Sequence, residues 1–221
     1  MLKKKFMKYY NKEYALNHQK NAKEYWEYKE IFRLFTPKKN SSILEIGCNT
    51  GDLIKLLYER GYKNISGIDI NSQAVKIAKK KVPKANIQIK DIMKTIPEKK
   101  YDIIYALHII EHFENTEDFL KKIKNLLNNK GILIISCPNK IAYLMRLEHF
   151  IRGKKHCFDP THEKYFSILE LQKECRKIGF KIMRKSTLPL DLITQKILEG
   201  KNIRIPATIF GGHNYIVCQN D

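Results

Sequence analysis

The stretch from Ile43 to Leu53, ILEIGCNTGDL, constrains the fold of this chain more than any other. A short aliphatic run ends in two glycines and leads into an amphipathic segment, which predicts a strand, a tight turn and a helix. Gly47 and Gly51 permit positive φ angles and let a ligand approach the backbone closely. In an open α/β sheet, ligands bind in the crevice beyond the carboxyl ends of such strands. The turn is therefore a candidate ligand-binding loop.

Strands and helices alternate along the rest of the chain. Apolar runs predict strands at 43–47, 65–69, 86–90, 101–107, 131–137, 180–185 and 213–219. Amphipathic segments predict helices at 52–60, 72–82, 116–128, 141–151 and 167–178. Ser72 and Ser167 are the predicted N-caps of two of these helices. This βαβ rhythm predicts a mostly parallel, doubly wound sheet with right-handed crossovers.

The chain of 221 residues is long enough for one well-cored domain with decorations. Residues 1–40 are predicted to form a helical N-terminal leader, because aromatic residues lie among charges until Pro37 breaks the pattern. The leader either packs on the sheet or acts as a lid whose tyrosines cover the site. Residues 41–221 follow, with insertions at about 139–166 and 188–206. These insertions lie outside the regular rhythm, so we expect them to shape a specificity pocket.

The formal net charge of +19 raises the question of a polyanionic partner. Most of the 42 basic residues are lysines in small groups such as Lys3 to Lys5 and Lys79 to Lys81. Specific readers of phosphates and base edges rely instead on the bidentate fork of Arg. We therefore interpret the charge as lysine-rich solvated faces, and a nucleic-acid partner is the alternative that we do not favour.

The cysteines and the N-terminal stretch bear on the compartment. Five cysteines contain no Cys-x-x-Cys pair, which argues against a zinc ribbon or a disulfide framework and for a reducing compartment. The basic stretch 1–8 has no apolar core after it, so it does not resemble a signal peptide. No apolar run approaches the ~18 residues that a membrane span needs. We expect a cytoplasmic protein without a transmembrane segment.

Two nucleotide-binding patterns compete at the opening turn. The dinucleotide fingerprint Gly-x-Gly-x-x-Gly requires glycines where this chain has Asn49 and Asp52, so it fails. The pattern that fits is acidic-x-Gly-x-x-x-Gly, here Glu45-x-Gly47-x-x-x-Gly51. With this motif the chain resembles the class I S-adenosylmethionine-dependent methyltransferases, in the group that includes the ubiquinone-biosynthesis O-methyltransferases. Asn49 replaces the usual glycine of that family, which is tolerable because Asn also enters the left-handed region.

The resemblance implies a fold, a cofactor and its contacts. The implied fold is α/β, a Rossmann-like, doubly wound, mostly parallel seven-stranded sheet with an antiparallel last strand, and 41–221 is the methyltransferase domain. The implied cofactor is S-adenosyl-L-methionine. Asp69 ends the second predicted strand and would accept hydrogen bonds from the ribose hydroxyls, while Asp91 would accept one from adenine. The implied cofactor-binding residues are Glu45, Gly47, Asn49, Gly51, Asp69, Ile70, Asp91, Ile92 and Leu107.

The segment His108-Ile109-Ile110-Glu111-His112 contains the candidate catalytic residues. If it is helical, positions 108, 111 and 112 share one face over the site. One hypothesis is that a histidine removes the proton of a substrate hydroxyl, and a structural role is the alternative. The stretch 159–162 resembles the acid-Pro-x-His stretch of the family. His162 is therefore a further catalytic candidate near the acceptor pocket, with a hydrogen-bonded loop histidine as its alternative.

A divalent metal is a less favoured interpretation of the same segment. Some O-methyltransferases of this group, including enzymes that modify RNA 3′ ends, use Glu-x-x-Glu-His with a distant His to bind a metal. By that resemblance Glu111, His112 and His162 are metal candidates, with His156 as another source of the distant ligand. His108 stands in place of the first Glu, which shifts the site toward nitrogen ligands and away from Mg²⁺.

The sequence thus predicts an enzyme that transfers the methyl group of S-adenosylmethionine to an oxygen or nitrogen of a small-molecule or lipid-linked acceptor. An RNA acceptor, with or without metal assistance, is the first alternative. A cofactor-binding protein that has lost catalysis and serves as a partner or sensor is the second. No sequence feature assigns the acceptor or an oligomeric state.

Overall fold

The computed structural model describes residues 25–94, 99–140, 161–189 and 211–221. The helices in these ranges are α1 (Tyr25–Leu34), α2 (Asp52–Glu59), α3 (Ser72–Lys81), α4 (Thr116–Leu126) and α5 (Ile168–Lys177). The strands are β1 (Ile43–Ile46), β2 (Ile65–Asp69), β3 (Asn86–Ile89), β4 (Tyr101–Leu107), β5 (Leu127–Pro138), β6 (Phe180–Pro189) and β7 (Gly211–Asn220). A single 3₁₀ turn, Ile110–His112, follows β4.

The seven strands form one sheet in the order β3-β2-β1-β4-β5-β7-β6. Strands β1 to β5 pair in parallel, and β7 pairs antiparallel with both β5 and β6. The predicted α/β fold, with a mostly parallel seven-stranded sheet and an antiparallel last strand, is confirmed. The strand order reverses between β1 and β4, and ligands of such sheets bind beyond the carboxyl ends of the strands at this point.

Two apolar layers cover the sheet. Strand β4 contributes to both because successive side chains of a strand point to opposite faces. Its Ile104 and Ala106 join the layer with α4 and α5, and its Ile103 and Tyr105 join the layer with α1, α2 and α3. A parallel strand buried on both faces accounts for the nearly continuous apolar run at 101–107. No helix of the described ranges is long and apolar enough to cross a membrane.

The helix caps confirm one prediction and correct another. Ser167 caps α5, and its side chain and that of Glu170 form a reciprocal capping box. The N-cap of α3 is Asn71 and not Ser72, because the Asn71 side chain accepts hydrogen bonds from the backbone N–H groups of Gln73 and Ala74. Ser72 is already the first helical residue. Both residue types cap helices well, so the sequence alone does not choose between neighbours.

Three predicted boundaries are wrong by several residues. The helix at 116–128 ends at Leu126, and β5 begins at once at Leu127 instead of 131. Strand β6 runs to Pro189 and so takes the first two residues of the predicted insertion at 188–206, because Leu188 and Pro189 pair with β7. The predicted helix at 141–151, the further residues 152–160 and 190–206 of the two insertions, and most of the leader lie outside the described residues.

Candidate functional site

The loop after β1 has the backbone conformation that its sequence predicts. Gly47, Asn49 and Gly51 all have positive φ angles, of 73°, 43° and 77°. The N–H of Gly47 donates to the carbonyl of Ile68 at the end of β2, at 2.8 Å. Asn49 therefore occupies the left-handed region where the family usually has glycine.

The two glycines of the loop meet different neighbours. A Cβ at Gly47 would lie 2.8 Å from the flexible end of the Ile109 side chain. A Cβ at Gly51 would lie 2.9 Å from Cβ of Ala78, in the middle of α3. The sequence predicted that both glycines make room for a ligand. Gly51 makes room for a helix and caps α2, and its contact with a cofactor stays a prediction.

Asp69 fastens the end of β2 to this loop. Its Oδ2 accepts a hydrogen bond from the N–H of Asn49 at 2.8 Å, and its Oδ1 accepts one from the N–H of Asn71 at 2.7 Å. Burial raises the pKa of the Asp69 carboxyl above its ordinary value, and these backbone N–H groups oppose the rise. The carboxylate is thereby fixed at the carboxyl edge of the sheet.

A cleft of about 240 Å³ opens at this edge. It is lined by Ile46, Gly47, Ile68, Asp69, Ile70, Lys90, Asp91, Ile92, Met93, Ile109, His112, Phe113 and Glu114. Five of the nine predicted cofactor residues are among them, contributed by the ends of three strands. Glu45, Asn49, Gly51 and Leu107 are not among the lining residues. Ile109, Met93 and Phe113 add an apolar wall that the sequence analysis did not identify.

His108 does not belong to the cluster of side chains that contains His112, the histidine with which the sequence grouped it. His108 follows the last residue of β4 and has a left-handed φ of 50°. The helix conditionally expected at 108–112 is therefore limited to the turn 110–112. The His108 Nε2 lies 2.9 Å from Oε1 of Glu27 in α1, and its Nδ1 lies 3.7 Å from Oε1 of Glu111. Both ring nitrogens therefore face carboxylates. The single-face arrangement of 108, 111 and 112 is wrong.

Glu27 is a residue of this site that the sequence analysis missed. Its Oε1 also accepts a hydrogen bond from the hydroxyl of Tyr215 in β7, at 2.8 Å. The ring of His213 lies edge-on to that of His108, with centroids 4.5 Å apart. No local signal marks Glu27, because it lies 81 residues before His108 in an aromatic-rich helix.

Burial and charge act in opposite directions on this pair. Burial alone would raise the pKa of Glu27, but the charge and hydrogen bond of His108 outweigh it and lower that pKa. Burial alone would lower the pKa of His108, but the carboxylates of Glu27 and Glu111 outweigh it and raise that pKa. The ring of His108 is held between the carboxylates of Glu27 and Glu111.

Glu111, His112 and His162 come together on the other side of the turn, and we call them the acceptor-side triad. The Nδ1 of His112 lies 3.2 Å from the carbonyl oxygen of Thr161. The carbonyl of Glu111 accepts from the backbone N–H groups of Glu163 and Lys164, which fixes the segment that carries His162. The His112 and His162 rings are 5.0 Å apart. The candidate His156 lies outside the described residues.

The triad has the chemistry of a metal-binding set. One ligand atom from each of its three residues lies within 4.8 Å of the others. Glu111 is 1% exposed, and its Oε2 has no hydrogen-bond partner among the described residues. The Nδ1 of His112 also lies 3.1 Å from the hydroxyl oxygen of Thr161, and in the tautomer with the proton on Nδ1 it donates to Thr161 and leaves Nε2 for a metal. One carboxylate and two imidazoles suit Zn²⁺ or Co²⁺ better than Mg²⁺.

Comparisons with known proteins agree with the fold and the loop motif. The methyltransferase domain family matches residues 18–185 of this chain. A ubiquinone biosynthesis O-methyltransferase of Rickettsia bellii (strain OSU 85-389) is 34% identical over 109 residues, covering 47% of this chain and 45% of that protein. A malonyl-[acyl-carrier protein] O-methyltransferase 2 of Ilyobacter polytropus is 29% identical over 173 residues, covering 71% and 65%. The match to the first relative thus spans about half of that protein's length.

Solved structures share the fold at low sequence identity. An S-adenosylmethionine-dependent methyltransferase from Mesorhizobium loti superposes with a TM-score of 0.66 at 13% identity, covering 87% of this chain and 97% of that one. The N-methyltransferase NodS from Bradyrhizobium japonicum WM9, in complex with S-adenosyl-L-homocysteine, gives a TM-score of 0.64 at 14% identity, covering 90% and 88%.

Proposed function

Because the chain belongs to the methyltransferase domain family, we propose that it transfers the methyl group of S-adenosylmethionine to an oxygen or nitrogen of a small-molecule or lipid-linked acceptor. The observation that carries this proposal is the cleft in which Gly47, Asp69 and Asp91 meet. Three strand ends supply these residues in the pattern that the sequence motif implies. The buried thiols of the described cysteines support a cytoplasmic enzyme.

We infer one orientation for the cofactor in the cleft. Asp69 receives the ribose hydroxyls, because its fixed carboxylate lies next to the glycine loop. Asp91 receives the adenine amino group, and Ile92 and Met93 pack on the ring. Phe113 and Ile109 supply apolar lining of the same cleft. In this orientation Leu107 and Gly47 lie toward the methionine portion.

S-adenosylmethionine, when bound, supplies an electrophilic methyl group, so the hard chemistry belongs to the cofactor. The chain has to hold the acceptor in line, within about 3–3.5 Å of the methyl carbon, and to receive a proton from a hydroxyl acceptor. His112 is the histidine that lines the cleft, and in the tautomer with the proton on Nδ1 its lone pair is on Nε2. We assign proton removal to His112 in a metal-free enzyme. His108 does not take this role, because carboxylates face both of its nitrogens.

A metal-assisted form of the same reaction is the second candidate, favoured by the buried Oε2 of Glu111 beside two histidines. Glu111, His112 and His162 would hold the ion. A divalent cation there would lower the pKa of an acceptor hydroxyl as a Lewis acid. Chelation would then abolish transfer, whereas the metal-free form is indifferent to chelator.

Calorimetric titration of the full chain with S-adenosyl-L-homocysteine tests the cofactor site. We expect saturable binding by the wild type and its loss in Asp69→Ala, because the ribose loses its carboxylate. Glu59→Ala, at the exposed end of α2, is the matched control and should bind as the wild type does. Absence of binding at millimolar ligand would contradict the proposal.

An acceptor panel then separates the reactions that remain. The panel contains phenols, amines, acyl carboxylates and lipid-linked phenols, each assayed with and without chelator. An RNA acceptor would make substrate binding fall steeply with salt, whereas a small neutral acceptor would not. Cofactor binding without transfer to any acceptor would favour the partner or sensor function.

A further inference from the structure

The metal-assisted form of the proposed function leaves one position unexplained. In the pattern His108-x-x-Glu111-His112, the first residue stands where a fourth ligand would be, yet it does not join the acceptor-side triad. Its Nε2 is 2.9 Å from Glu27, and its Nδ1 faces Oε1 of Glu111. His108 is thus bound to carboxylates on both sides and is not a donor to an ion.

We propose that Glu27 is a positioning residue of a three-donor metal site. It holds His108 against Oε1 of Glu111 and thereby turns Oε2 toward His112 and His162. This inference rests on the proposed function and deepens its metal-assisted form. The donor set is one carboxylate and two imidazoles, with His108 as an outer partner that supplies orientation.

Several contacts make Glu27 a rigid support. The hydroxyl of Tyr215 donates to the same oxygen that faces His108, at 2.8 Å. Helix α1 is tied to β6 on the same side, where Arg184 donates to the carbonyl of Leu34. Glu27 is only 9% exposed. Its position is therefore fixed by two strands distant in sequence.

The contacts along this line of side chains give the arrangement its physical reason. Nε2 of His108 lies 2.9 Å from Oε1 of Glu27 and its Nδ1 lies 3.7 Å from Oε1 of Glu111, so the ring is held between the two carboxylates. Glu27 thus fixes the ring without belonging to the group of residues that could hold the ion. Replacing Glu27 by Gln keeps a hydrogen-bond acceptor for Tyr215 and His108 but removes the negative charge.

Cobalt titration of the full chain tests the proposal, with Co²⁺ alone as the probe and its visible d–d absorption as the signal. We expect one saturable site in the wild type, lost in His162→Ala. Glu27→Gln should weaken Co²⁺ affinity by roughly 10- to 100-fold, the usual loss for an outer-shell partner, and alter the spectrum. Glu30→Gln is the matched control, since it lies one turn along α1 and contacts Ser186 and Arg33 instead. It should bind Co²⁺ as the wild type does.

Thermal unfolding and binding of S-adenosyl-L-homocysteine are measured for every variant, so that misfolding is separated from loss of the metal site. Should Glu27→Gln fold poorly, Co²⁺ titration of His108→Gln replaces it, because that variant removes the ring that links Glu27 to Glu111, and a similar loss of affinity is expected. Co²⁺ affinity within twofold of wild type in a folded Glu27→Gln would overturn the proposal. Cofactor binding with no Co²⁺ site in the wild type would overturn it too and leave the methyltransferase function intact. Failure to bind the cofactor would instead contradict the proposed function.

Discussion

Gly51 has a left-handed backbone conformation, and Ala78 of α3 lies against the position that a side chain would take. The motif spacing predicted the positive φ at Gly47 and Gly51, because only small or Asn-like residues enter that region readily. It could not predict that Ala78 would be the neighbour of Gly51, since that contact depends on how α3 docks. A glycine motif therefore reports backbone conformation more directly than it reports ligand contact.

Gly51→Ala tests this packing role. The new Cβ would lie 2.9 Å from Cβ of Ala78, and the residue would keep a strained φ of 77°. We expect a loss of about 1–3 kcal/mol in the free energy of unfolding from overpacking, besides the conformational cost. Gly61→Ala is the control, because Gly61 has a φ of 88° and no atom within 4 Å of its Cβ position. Urea unfolding should show the larger loss for Gly51→Ala, and equal losses would exclude the packing role.

Asp102 should contribute a pH-dependent part of the stability. It accepts hydrogen bonds from the N–H and Oγ of Ser42 and from Asn128. The backbone N–H of Ser42 and these side chains hold the pKa of Asp102 below its ordinary value, although burial opposes them. A lowered folded-state pKa stabilises the fold above the unfolded-state pKa, and this contribution disappears as pH falls through the folded-state value.

The variant Asp102→Asn should therefore be less stable than the wild type near neutral pH. The difference in unfolding free energy should shrink as the pH falls below about 4, where the wild-type carboxyl begins to be protonated in the unfolded chain. Urea unfolding at a series of pH values measures it. A difference that stays constant with pH would show that the carboxylate charge is not what stabilises this contact.

At the scale of elements, the strands of the first half were predictable and the supporting contacts of the site were not. Strands β2 and β4 were predicted with their observed bounds, because buried parallel strands are short apolar runs between turn signals. The contact of Glu27 with His108 joins an N-terminal helix to the end of β4. No periodicity encodes such a contact, since it arises only after α1 has packed on the sheet.

The N-cap of α3 allows a test of which of two neighbouring residues caps the helix. Asn71→Ala should cost about 1 kcal/mol, because two backbone N–H groups of α3 lose their acceptor. Ser72→Ala should change the free energy of unfolding by only a few tenths of about 1 kcal/mol, because Ser72 is already helical. Chemical denaturation of both variants measures the two values. The reverse order would restore Ser72 as the cap that the sequence suggested.

For the whole molecule, binding and stability are linked. Most lysines in the described ranges are exposed, and several described ion pairs, such as Lys121 with Glu117, are partly exposed and contribute little. The stability of the fold thus depends on its two apolar layers and on what the cleft binds. A ligand that binds only the folded state stabilises it by mass action.

S-adenosyl-L-homocysteine at one hundred times its dissociation constant should stabilise the protein by about 2.7 kcal/mol. For a chain of this size that corresponds to a rise in Tm of roughly 5–10 °C. Differential scanning fluorimetry measures the shift. Asp69→Ala should unfold with no shift at the same ligand concentration, whereas an equal shift in that variant would remove Asp69 from the cofactor site.

The position of β7 in the sheet determines when one supporting contact of the site can form. Strand β7 follows β6 in the chain but lies between β5 and β6, so a growing chain holds two unpaired strand edges until β7 inserts. Such edges invite aggregation, and non-local pairing is slow. The insertion also brings Tyr215 to Glu27 and completes the support of His108. Because β7 pairs with a strand on each side, the contact that supports His108 forms only when the sheet closes around β7.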